Sequence, residues 1–101
     1  MMLRLILVVV VSSFLCSNAL FAADSAKGQQ HYQQHCSFCH GEAGTPVMGG
    51  LADFSRGEGL VRGDRSLKER IEKGEKGCPS YKGIMREREI LDLISYLRTL
   101  Y

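Results

Sequence analysis

The sequence has no surplus of charge of either sign: 13 lysines and arginines stand against 11 aspartates and glutamates in 101 residues. From Arg56 to Arg98 its basic residues are interspersed with acidic ones. A phosphate-binding face would cluster them, so nucleic acid is excluded as a partner. There is no internal repeat and no low-complexity tract. No stretch alternates apolar and polar residues as a half-buried strand does, which leaves helix and loop. The sequence also lacks an apolar run of the roughly 20 residues that a bilayer span needs.

What is present begins with an export signal. Met1-Met2-Leu3-Arg4 is a short basic start, and Leu5 to Leu15 is apolar apart from Ser12 and Ser13. Small residues follow at Ser17, Ala19, Ala22 and Ala23, offering cuts after Ala19, Ala22 or Ala23. Residues 1–23 are therefore read as a signal peptide and 24–101 as one domain, exported to the periplasm or an equivalent extracytoplasmic compartment. Retention as an uncleaved anchor is the alternative. After cleavage no stable membrane span is expected. Cys16 is not a lipidation site, because Phe14 and Leu15 stand where small residues are expected. A mature chain under about 80 residues buries too little surface to be comfortably stable alone and usually recruits a disulfide, metal or cofactor.

Asp24-Ser25 predicts the cap of a first helix that brings Ala26, Gly28, Tyr32 and Cys36 close to one face. From Gly41 to Gly63 seven glycines, one proline and little periodicity predict a long loop. Ser66-Leu67-Lys68-Glu69 reads as a capping box opening a short middle helix that Gly74 stops. Ile90, Leu93, Ile94, Leu97 and Leu100 repeat at helical spacing after Arg86-Glu87, which predicts a closing amphipathic helix of about four turns.

Cys36-Ser37-Phe38-Cys39-His40 is C-x-x-C-H, the spacing of covalent haem attachment. Two thiols add to the two vinyl groups along one porphyrin edge, and the adjacent imidazole is forced beneath the iron. A zinc site would need a second ligand pair, and only Cys78, His31 and His35 remain in the mature chain. A redox dithiol would be expected beside alternating strands and helices, which the chain lacks. The expectation is one haem c, bound through Cys36 and Cys39, with His40 as proximal iron ligand.

Gly28 and Tyr32 ahead of the motif, Gly41 after it, Ile71-Glu72-Lys73-Gly74, and the Ile90 to Leu100 helix with Tyr96 follow an order of landmarks that resembles the small class I cytochromes c. The resemblance implies an all-α fold in which N- and C-terminal helices pack over one covalently bound haem, with a long wrapping loop and a short middle helix. It implies close approach of Gly28 to Tyr96. It also implies that Pro46 or a nearby carbonyl accepts the other N–H of the proximal imidazole.

In that family a methionine usually precedes a Pro-x-aromatic-Lys-Gly stretch and closes the distal side. Here the stretch is Pro79-Ser80-Tyr81-Lys82-Gly83 and the residue before it is Cys78. The resemblance therefore implies Cys78 as distal iron ligand. Cys78 is also the odd thiol of the mature chain, and an odd thiol in an oxidising compartment invites a specific role or an intermolecular disulfide. Met85 is the alternative distal ligand, although it falls where the family carries a core apolar residue. Met48 follows His40 too closely to cross easily to the other face. His31 and His35 are read as solvent-facing or covering the haem edge, Tyr81 as lining the distal pocket, and Lys82 or Arg62 as meeting a propionate.

A thiolate pushes electron density onto iron and favours the ferric state, so the expected potential is low. Loss of the thiolate on reduction would open a site for carbon monoxide or nitric oxide. Cysteine in the distal position also resembles the His/Cys-ligated NaxLS-type cytochromes of anaerobic ammonium oxidisers. That likeness implies another cytochrome or redox protein as partner, in a heterodimer, and NO or CO as ligand. Three functions compete: a low-potential electron carrier, a gas-binding haem protein, and an enzyme subunit. Nothing marks a catalytic acid, base or substrate pocket, so enzymatic activity is left open and the first two are favoured. A conventional electron-transfer cytochrome with Met85 on the iron is the remaining alternative.

Overall fold

A computed structural model describes residues 22–75 and 77–101. The leader read at residues 1–23 lies outside the described residues except for Ala22 and Ala23. Among those described, four helices and one 3₁₀ turn carry the structure, and there is no strand beyond two isolated bridges. No helix among them is long and apolar enough to cross a membrane. The fold is all-α, the arrangement that the class I cytochrome c likeness implies.

Helix α1 spans Ser25–His35. Asp24 caps it, its carboxylate accepting the N–H groups of Ala26 and Lys27 at 3.0 and 3.1 Å. Those are two of the donors that a helix start leaves without partners. Gly28 and Tyr32 are its buried residues, whereas Ala26 is exposed. A one-turn helix, α2 (Ser37–His40), follows directly.

The predicted loop runs from Gly41 to Gly63, broken by a 3₁₀ turn at Phe54–Arg56. It is not free chain, because Leu60 within it is fully buried. Helix α3 spans Asp64–Lys73 and starts on Gly63, with no side-chain cap. The expected capping box at Ser66 is therefore corrected: Ser66 sits inside the helix, and Asp64 supplies the acidic residue of its first turn. The reason is tertiary. Arg98 holds Asp64 from the far end of the chain, donating to its carboxylate at 2.7 Å and 3.1 Å. Gly74 ends α3 with φ of 68°, as the sequence implies.

Helix α4 spans Glu87–Leu97, about three turns where four were expected. Leu100 lies in the turn beyond it, still packed against the core. Ile90, Leu93, Ile94 and Leu97 are each at most 3 % exposed. Burying such side chains contributes about 1.5–3 kcal/mol apiece, as an upper estimate. Tyr32, Leu60, Leu67, Tyr81 and Met85 complete the core.

Helices α1 and α4 form the main helix pair. Tyr32 and Tyr96 rings stand 5.3 Å apart at 57°. The carboxylate of Asp92, only 4 % exposed, accepts the backbone N–H of Asp24 at 2.7 Å and ties the start of α1 to α4.

Candidate haem site

The C-x-x-C-H motif continues α1. The N–H of Cys36 donates to the carbonyl of Tyr32 at 2.8 Å, and the N–H of His40 donates to that of Cys36 at 2.9 Å. Cys36 and Cys39 are thus three apart on helical backbone and share a face. Tyr32 braces the motif from below, its hydroxyl donating to the carbonyl of Gly41 at 2.6 Å.

The face opens onto a cavity of about 420 Å³. Cys36, Cys39 and His40 line one wall, and Leu51, Ala52 and Phe54 of the loop line another. Leu67, Arg70 and Ile71 of α3 and Leu93 and Leu97 of α4 close the back. Cys78, Pro79 and Tyr81 contribute from the segment between α3 and α4. The walls are mostly apolar, with sulfur and imidazole donors grouped among them.

His40 is held in one orientation. Its Nδ1 lies 3.2 Å from the carbonyl oxygen of Ala52. A carbonyl can only accept, so the proton sits on Nδ1 and the lone pair on Nε2. Phe54 stacks on the ring at 4.2 Å and 17°. Burial lowers the pKa of His40; the Ala52 contact opposes this, and the positive charge of Arg70 adds to the lowering. A neutral imidazole with a fixed tautomer is the form that binds metal. The acceptor is therefore Ala52, and of the two possibilities drawn from the likeness it is the nearby carbonyl, not Pro46, that serves.

No disulfide joins Cys36, Cys39 and Cys78. Burial, then the neighbouring Cys78 and Cys39, pushes the free Cys36 thiol up to about 12 before attachment. Cys78 is partly buried, packs against the core and lines the same cavity. Its S–H donates to the Pro79 carbonyl at 3.9 Å, a weak contact.

The other candidates fall as follows. Met85 is 4 % exposed within the core and is not one of the residues lining the cavity. Met48 is 51 % exposed and does line it. Tyr81 and His35 both line it, their rings 5.4 Å apart, and the Tyr81 hydroxyl donates to the His35 carbonyl at 3.0 Å. His31 instead lies 3.5 Å from the carboxylate of Glu89. Arg62 lines the cavity, while Lys82 is exposed and does not. Sequence reasoning missed Ala52 and Phe54. A lone aromatic inside a glycine-rich loop was the available signal for the second, and a backbone carbonyl gives none.

The donor set fits a haem: a thiol pair on one helical face, a neutral imidazole with Nε2 free, and apolar walls. A family model described as cytochrome c oxidase, cbb3-type, subunit III matches residues 23–97, from just before the cap of α1 to the last residue of α4. The chain belongs to that family, whose c-type cytochrome domain implies one covalently bound haem c.

Proposed function

We propose that this protein is an exported monohaem cytochrome whose haem is anchored by Cys36 and Cys39 and whose iron lies between His40 and Cys78, giving a low-potential centre able to exchange its distal ligand for NO or CO. When bound, the haem supplies one-electron redox chemistry and a sixth coordination position. The protein's residues decide how that chemistry is used. The Ala52 carbonyl and the Phe54 ring hold the His40 imidazole still.

The observation that carries this reading is the lining of a single cavity by Cys78 together with Cys36, Cys39 and His40, while Met85 is spent on the core. An anionic sulfur stabilises ferric iron, and axial-ligand choice moves haem potentials over a range of about 0.8 V. Protonation of the Cys78 sulfur on reduction would free the position for a diatomic gas. Another cytochrome or redox protein is the expected partner. Family membership supports electron transfer, and the NaxLS-type likeness supports a heterodimer and gas binding. The export signal and the covalent haem favour an extracytoplasmic site.

Absorption spectra of ferric and ferrous protein, with and without carbon monoxide, test the proposal. A ferric sulfur-to-iron charge-transfer band is expected to vanish in Cys78→Ala and to survive Met85→Ala and Met48→Ala. An unchanged band in Cys78→Ala defeats the assignment. A carrier alone would remain six-coordinate when reduced and refuse the gas.

A further inference from the structure

Cys78 stands on a turn with an unusual amount of fastening. Its N–H donates to the carbonyl of Glu75 at 2.6 Å, and the N–H of Glu75 donates back to the carbonyl of Cys78 at 3.0 Å. The turn folds over Gly74, where an added Cβ would fall 2.6 Å from the Cys78 carbonyl oxygen. Downstream, the N–H groups of Tyr81 and Lys82 donate to the carbonyls of Ile71 and Glu72, both at 3.3 Å, so the segment returns to α3. Among the described residues, two side-chain ties join this stretch to that helix: the Ser80 hydroxyl donates to the Glu72 carbonyl, and Arg70 Nε lies 3.3 Å from the Glu75 carboxylate. Arg70 also lines the cavity.

We propose that Arg70, acting through Glu75, is a positioning residue that latches the Cys78 turn over the cavity and so sets how readily the Cys78 sulfur leaves the iron. The proposal rests on the reading of Cys78 as distal ligand. Glu75 and Cys78 exchange both backbone hydrogen bonds, so they move as one unit. A sulfur that leaves together with its backbone carries Glu75 with it and stretches the ion pair. The pair is partly exposed, its side chains 31 % and 68 % accessible, which confines its effect. An exposed pair contributes about 0.2–1 kcal/mol, a change of roughly 1.4-fold to fivefold in the detached population. Apparent gas affinity scales with that population.

The test compares holoprotein carrying Arg70→Gln, Glu75→Gln, both together, and Arg70→Lys, by carbon monoxide titration of the reduced protein. Loss of the latch raises affinity in both single variants. Roughly 1.4-fold to fivefold is expected, no further gain in the double variant, and near wild-type affinity with lysine. A simple charge effect on the haem would move Arg70→Gln and Glu75→Gln in opposite directions, since one loses a positive and the other a negative charge; that result overturns the latch. Unchanged affinity in both, with Cys78→Ala still abolishing the ferric sulfur band, overturns the latch and leaves the ligand standing. An unchanged band in Cys78→Ala removes the ligand reading and the latch together. Should Arg70→Gln fail to fold, Glu75→Gln decides the matter against Arg70→Lys.

Discussion

Gly28 of α1 lies directly on the backbone of Asp92 in α4: a Cβ at position 28 would fall 1.9 Å from the Asp92 carbonyl oxygen and 2.9 Å from the Cβ of Tyr96. The obstacle is backbone, which cannot rotate aside as the end of a side chain can. The two helices can adopt this spacing because residue 28 has no side chain. Since α1 leads directly into the cysteines and α4 walls the cavity, their separation also sets the width of the site.

Gly28→Ala is therefore expected to force the helices apart at a cost of about 3 kcal/mol or more, at the upper end for overpacking. Urea unfolding of the holoprotein checks this through its midpoint. A midpoint within error of wild type would show that the helix pair gives way freely.

Tyr32 is fully buried, and burial is the first cause raising its hydroxyl to about 12 from 10.0. A raised acid of this kind contributes stability that is whole below its unfolded value of 10.0 and is lost as pH climbs through about 12. Tyr32→Phe leaves the Gly41 carbonyl without its donor and is expected to cost about 1–3 kcal/mol near neutrality. The variant should also lose less stability than wild type on entering that alkaline window. Unfolding midpoints across the window, together with phenolate absorbance, measure both effects; equal alkaline losses would refute the second.

Arg98 gathers three carbonyl or carboxylate partners: Leu60 at 2.8 Å, Arg62 at 3.0 Å and Asp64 at 2.7 Å. It joins the end of α4 to the loop that carries buried Leu60 and to the first residue of α3. Arg98→Ala is expected to destabilise by about 2–4 kcal/mol, because charge-assisted bonds contribute about 1.5–3 each and the side chains of the Arg98–Asp64 pair are partly exposed. Arg98→Lys should recover only part of this, since an ammonium cannot reproduce the planar fork. Full recovery with lysine, read from thermal unfolding, would reduce the residue to a point charge.

Removing the attachment thiols with Cys36→Ala and Cys39→Ala together tests dependence on the cofactor. Without the haem, a cavity of about 420 Å³ with mostly apolar walls would be left without the group those walls pack against. A domain of this size has about 4–12 kcal/mol in all. The haem-free chain is expected to lose its cooperative transition and its near-ultraviolet circular dichroism. A sharp transition in that chain would show that the walls collapse to a stable alternative.

Much of the structure was legible in short-range pattern. Asp24 next to Ser25 is a cap whatever follows, and the spacing of Ile90, Leu93, Ile94 and Leu97 marks one helical face before any partner is known. The start of α3 was misplaced because the segment around Ser66 has the local look of a cap, while the contact that holds Asp64 comes from Arg98, 34 residues away. Arg70 carries no local mark that sets it apart from the other charges of α3, and its partner Glu75 lies beyond the end of that helix.

By itself, then, the order of residues determined most of the helices and the donor types of the C-x-x-C-H motif, because each depends on neighbours within a turn or two of chain. Tertiary structure alone decided that the Ala52 carbonyl accepts the His40 N–H, that Phe54 covers its ring, and that Met85 goes to the core while Cys78 lines the cavity. Those outcomes depend on how an aperiodic loop closes around a cavity, and such closure is governed by distant partners and packing volume, which leave no period in the sequence.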